Sequence, residues 1–173
     1  MNYKYLQFLA DRVNKTSVRL KPSDENTILE TEKILNIKFP EVIREFFLII
    51  GGNRYDLFWY GLYYSNHTLK TLPSMIDDLK MELKLLDDFD IESSFYKLQL
   101  PILNESEIYD FVMLNEGENP PVYRFSFELF SEWNNLSKQD LDNWLLRSFN
   151  GLPPSKYRGV LKLSDSFSEY VKY

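Results

Sequence analysis

Apolar positions along this chain follow two periods, and the change between them divides it into helices and strands. Residues 3–13 place Tyr3, Leu6, Phe8, Leu9 and Val13 at helical spacing, which predicts a short amphipathic helix. A polar link, 14–23, follows. Pro22 cannot sit inside a helix, and Ser23 or Asp24 can accept from the first free N–H groups of the next one. Glu25 then lies in its first turn, where negative charge suits the helix dipole. Ile28, Ile34 and Leu35 are expected on one side of this helix. Pro40 is expected as the first residue of a third helix, since its missing N–H would be unpaired there anyway. Val42, Ile43, Phe46, Phe47, Ile49 and Ile50 cover most of that helix's circumference and predict a central core element. Arg44 and Glu45 mark its narrow polar side. Gly51 or Gly52 can take the positive φ that closes it without a Cβ penalty.

Beyond this point the period shortens. Residues 55–64 are rich in aromatics and predict a strand or hairpin, with Gly61 as a bulge or turn. Residues 73–86 return to helical spacing through Met75, Ile76, Leu79, Leu83 and Leu86. Three strands are predicted at 96–103, 108–114 and 122–127. In the third, Tyr123, Phe125 and Phe127 take one face, and Val122, Arg124 and Ser126 the other. The link Asn115-Glu116-Gly117-Glu118-Asn119-Pro120-Pro121 is dense in turn formers. A helix over 137–149 has Ser137 as its cap and Leu141, Trp144, Leu145 and Phe149 on one face. A closing strand from Val160 leads to a last helix capped by Asp165 or Ser166, docked through Phe167, Tyr170 and Val171. Residues 1–173 read as a single α+β domain: a mostly antiparallel sheet flanked by helices.

The stretch Ile34-Leu35-Asn36-Ile37-Lys38-Phe39-Pro40, followed by Glu41 to Ile50 and Gly51-Gly52, resembles the SUKH superfamily, also called the SMI1/KNR4 family. There, a helix ending in Leu-Gly-hydrophobic-x-hydrophobic-Pro runs into a second helix closed by glycines. Asn36 stands where the family usually has Gly, a mild change because Asn tolerates the left-handed conformation. Ile49-Ile50 replace the polar residue and Asn that often precede the glycines. The polar turn within the sheet, and the closing strand followed by Ser166-Phe167-Ser168-Glu169-Tyr170, continue the resemblance. Residues 128–158 map poorly and read as a family-specific elaboration. The resemblance implies a bacterial immunity protein that binds and neutralises a cognate polymorphic toxin, often a nuclease. The alternative it implies is a non-catalytic scaffold of the SMI1/KNR4 type, acting in regulation.

Composition narrows the chemistry. The chain has 173 residues, 44% of them hydrophobic and 16% aromatic, and no cysteine, which excludes disulfides, thiol catalysis and cysteine zinc sites. The N-terminal residues are too polar for a signal peptide, and the longest apolar run, Phe46 to Ile50, is too short to span a membrane, so a cytoplasmic protein is expected. The net charge is −6, unevenly placed. Residues 1–22 carry five basic side chains and one acidic. Residues 73–92 carry seven acids against Lys80 and Lys84, and 101–132 carry seven against Arg124. Such acidity opposes nucleic-acid binding through the middle of the chain; by itself it fits a solvated surface that aids solubility, and it is compatible with a basic protein partner.

His67, the one histidine, lies in a polar turn sequence without the spacing of a triad or metal site. No phosphate-binding glycine loop occurs. The acidic run Asp87-Asp88-Phe89-Asp90-Ile91-Glu92 lacks the glycine and spacing of an EF-hand. No pair of carboxylates is singled out for glycoside hydrolysis. No enzyme activity, cofactor or metal is therefore expected. The candidate contact residues are the aromatics Trp59, Tyr60 and Tyr63, which suit interface anchors, and the acids Asp77, Asp78, Asp87, Asp88 and Asp90. The acids could fill a toxin's basic cleft by imitating phosphate charge. The expected partner is a cognate toxin with a basic nuclease domain. Direct nucleic-acid and membrane contacts are not expected, and the free protein is expected as a monomer or weak homodimer.

Overall fold

The computed structural model describes residues 2–15, 20, 22–51, 99–105, 108–126, 135–148 and 160–172. Three helices open the chain: α1 (Gln7–Asn14), α2 (Glu25–Leu35) and α3 (Glu41–Ile50). Four strands, β1 (Gln99–Glu105), β2 (Ile108–Met113), β3 (Val122–Ser126) and β4 (Val160–Ser164), form an antiparallel sheet in sequence order. Helix α4 (Lys138–Ser148) lies between β3 and β4 in the chain, and the short α5 (Phe167–Tyr170) follows β4. The architecture is α+β, as the periodicity predicts.

Local chemistry sets the helix ends. Asp24 caps α2, accepting from the Thr27 N–H at 2.8 Å. Asn36 closes it in the left-handed conformation at φ 52°. There the Ile37 and Asn36 N–H groups donate back to the carbonyls of Glu32 and Lys33, the paired closure that a left-handed residue permits. Pro40 is the cap of α3 rather than its first helical residue: its ψ of 147° is extended, and its carbonyl accepts from Ile43 and Arg44. Gly51 ends α3 at φ 64°. Ser137 caps α4 through the Asp140 N–H, and Ser166 caps α5 through that of Glu169.

The main core lies between the helices and one sheet face. Leu6, Leu9, Ile28, Val42, Ile43, Phe46, Ile49 and Ile50 pack with Leu100, Ile102, Val112, Val122 and Phe167. Phe46 meets Phe167 edge to face at 5.5 Å, an arrangement that suits the ring quadrupoles. Leu100 and Ile102, two positions apart on β1, share the face that meets this core, and β1 carries a bulge against β2 between Pro101 and Leu103. The opposite sheet face is buried too. Tyr109, Phe111, Met113, Tyr123 and Phe125 are at most 5% exposed, with the Phe111 and Tyr123 rings 5.7 Å apart.

Two helix faces differ from the sequence expectation. Ile34 does not join Ile28 and Leu35 but is 74% exposed, because the buried stripe of α2 runs through Ile28, Thr31, Glu32 and Leu35. Glu45 is not on a solvent side of α3 but is buried, for a reason given below.

Candidate functional site

Three carboxylates that lie inside this fold each tie separate elements together. Glu45 of α3 receives three consecutive backbone N–H groups just ahead of α1: Lys4 at 2.6 Å, Tyr5 at 2.9 Å and Leu6 at 2.9 Å. Successive N–H groups of this kind form a natural anion cradle. Helix α1 has no side-chain cap at Leu6, so the cap is supplied from α3. Burial, with the charges of Glu45 and Glu25, pushes the hydroxyl pKa of nearby Tyr3 up.

Glu32 of α2 accepts from the Phe39 N–H at 2.7 Å and pairs with Arg44 at 2.7 Å. Arg44 also pairs with Glu25 at 2.6 Å. Burial works against the guanidinium charge, but the two carboxylates outweigh it and the Arg44 pKa rises. This network locks the turn between α2 and α3.

Asp110 of β2 is fully buried. The Arg124 side chain donates to it twice, at 2.7 and 2.9 Å, and the Tyr170 hydroxyl once, at 2.7 Å. It ties β2, β3 and α5 on the helix-facing side of the sheet. Every carboxylate oxygen of Glu45, Glu32 and Asp110 is thus occupied by a donor, and the three act as fasteners of the fold.

The turn between β2 and β3 is a fourth fastener and reaches the surface. The Glu118 carboxylate accepts from the Glu41 N–H at 2.6 Å, and its carbonyl accepts from Val42 at 3.0 Å. One residue on, the Asn119 side chain bonds Ser168 of α5 through both its amide groups. Adjacent residues of one turn therefore satisfy the starts of two helices, and a carboxylate at the head of α3 also suits its dipole. Around this turn Glu41, Glu118, Asp165 and Glu169 are exposed, giving an acidic rim. Lys4 sits beside Glu41 at 3.3 Å, and Lys162 pairs with Asp165. In the sequence, residues 115–121 show only as turn formers and general charge. Their capping roles depend on partners 49 and 77 positions away.

The predicted contact residues Trp59, Tyr60, Tyr63, Asp77, Asp78, Asp87, Asp88 and Asp90 lie outside the described residues, as do His67 and the elements predicted at 55–64 and 73–86. Among the described residues, no group of three His, Cys, Asp or Glu side chains could hold a metal ion, and no helix is long and apolar enough to cross a membrane.

Comparison with known families places this arrangement. The model of the SMI1 / KNR4 family (SUKH-1) matches residues 22–172. The chain belongs to this family. The SUKH-1 match takes in α2 and α3, the whole described sheet and α5, together with the Glu32, Asp110 and Glu118 fasteners. Helix α1 precedes the matched stretch, although Glu45 within it holds α1 in place. No individual curated protein matches the chain.

Proposed function

We propose that this SUKH-1 protein is an immunity protein that binds a cognate polymorphic toxin and blocks its active site. The observation that carries this reading is the family match over residues 22–172. Two features support it. The buried carboxylates are committed to holding the fold, which favours a binding role over a catalytic one. The exposed rim of Glu41, Glu118, Asp165 and Glu169 adds to the acidic character of residues 73–92. An acidic surface suits a basic partner, and complementary charge speeds the encounter. The toxin is a nuclease with a basic cleft, which Asp77, Asp78, Asp87, Asp88 and Asp90 occlude, with Trp59, Tyr60 and Tyr63 as apolar anchors. The complex forms in the cytoplasm and needs no cofactor.

The test is titration calorimetry against the product of a neighbouring toxin-like gene at two salt concentrations. Tight binding that weakens with salt, and with Asp→Asn changes at the five aspartates, is the expected result. Tight binding indifferent to both would keep the immunity role and move the contact to the aromatics. Absence of binding would sink the immunity reading and favour a regulatory scaffold.

A further inference from the structure

The outward side of α2 carries two open apolar side chains. Leu29 is 52% exposed and Ile34 is 74% exposed, the large hydrophobic side chains left most open among the described residues. At about 3.6 residues per turn, Asn26, Glu30 and Lys33 form the centre of this outward side, with Leu29 along one edge and Ile34 along the other. Its two charged side chains are ordered along the helix: Glu30 comes first and Lys33 one turn later toward the C-terminus. Asp24 is engaged as a cap and Glu25 with Arg44, but Glu30 and Lys33 take part in no ion pair among the described residues.

A helix side that carries an acid ahead of a base is complementary to itself when reversed. We infer that the outward side of α2 is a self-association surface, occupied by α2 of a second copy in antiparallel orientation about a two-fold axis. An axis level with the midpoint between Thr31 and Glu32 brings Glu30 of each copy beside Lys33 of the other, since both lie about 2 Å from it at ~1.5 Å rise per residue. Ile34 then meets Ile34 of the second copy along one edge. Leu29 lies against the aliphatic stem of the second copy's Lys33 along the other. The helix dipoles also oppose favourably. Such a contact is isologous and closed, so it gives a dimer and not a filament. One 11-residue helix per copy makes an interface below about 1,000 Å². Association is therefore expected only at high protein concentration, on the order of 0.1 to 1 mM.

The experiment is sedimentation equilibrium across that range on the full chain and on variants at these exposed positions, each checked by circular dichroism. The unaltered chain is expected to move toward a dimer mass. Ile34→Asp should abolish this, and Glu30→Lys or Lys33→Glu should each weaken it by roughly tenfold, because each turns two attractive pairs into two repulsive ones. An equimolar mixture of those two single variants should associate again, and so should the double variant that exchanges both charges. A chain that stays monomeric throughout overturns the inference. So does association that the substitutions leave unchanged. A monomer whose Ile34→Asp variant loses affinity for a toxin would assign this side of α2 to a different protein, and would equally overturn it.

Discussion

At the scale of single residues, the positions with special backbone or capping chemistry are the most exposed to test. Asn36 holds φ 52° at the end of α2. A side chain without Asn's local hydrogen bonding costs roughly 1 kcal/mol in that conformation, so Asn36→Ala should lower the urea midpoint while Asn36→Gly leaves it level or raises it. Asp24 gives a pH dependence. The Thr27 backbone N–H, then the Thr27 hydroxyl, hold its carboxyl below the usual range. A carboxyl with a lowered folded pKa stabilises the fold fully above its unfolded value of about 3.9. That contribution is lost as the pH falls from there through the folded value. Protection of the Thr27 amide, taken relative to its intrinsic exchange rate, should therefore fall in this acid window, and Asp24→Asn should flatten the dependence. These positions were legible in the sequence because the partners of Asp24 and Asn36 lie within five residues. Glu45 was not. It follows Arg44 directly in the sequence, and only the N–H groups of residues 4 to 6 separate a fastener from a surface charge.

Between elements, the contact of α1 with α3 depends on that one carboxylate as well as on Leu6 and Leu9, which are fully buried. Glu45→Ala leaves three backbone donors without their acceptor and should cost about 3 kcal/mol in urea unfolding. The loss of amide protection should centre on Lys4, Tyr5 and Leu6, and leave β2 and β3 nearly unchanged. Glu45→Gln, which keeps one acceptor oxygen, should fall between. Sequence periodicity located both helices but not their attachment, since period reports which side of a helix is apolar and not which polar residue crosses to a neighbour. The same limit explains Ile34. Its place beside Leu35 reads as core, yet one step along a helix turns a side chain by more than a quarter of a circle.

For the whole molecule, Asp110 carries the widest consequence. Arg124 and Tyr170 meet it from 14 and 60 positions away. Asp110→Ala removes the buried carboxylate that two Arg124 N–H groups and the Tyr170 hydroxyl share, and should cost roughly 3 to 5 kcal/mol, whereas Tyr170→Phe, which removes one donor, should cost about 1 kcal/mol. Chemical denaturation of the two variants side by side tests that ratio. In the sequence, Asp110 is one of seven acids in an acidic run. Charge counted along the chain assigns it to the surface, and it is instead the most deeply buried polar group of the sheet. The strands, the helical hairpin and the final helix were all legible, because each is written in local period and turn chemistry. The fasteners that hold them in register were not, because they join residues that only the completed fold brings together.

The turn between β2 and β3 has a practical corollary. Hairpin tips are usually where a chain accepts extra length, whether a natural insertion or an engineered epitope. This tip is a gauge block instead: the one-residue step from Glu118 to Asn119 sets the spacing between the heads of α3 and α5. A single residue added between them would pull one helix start away from its acceptor. Changes of length that keep the fold belong elsewhere in the chain, and a label meant to report on this protein without disturbing it should not be placed in residues 115–120.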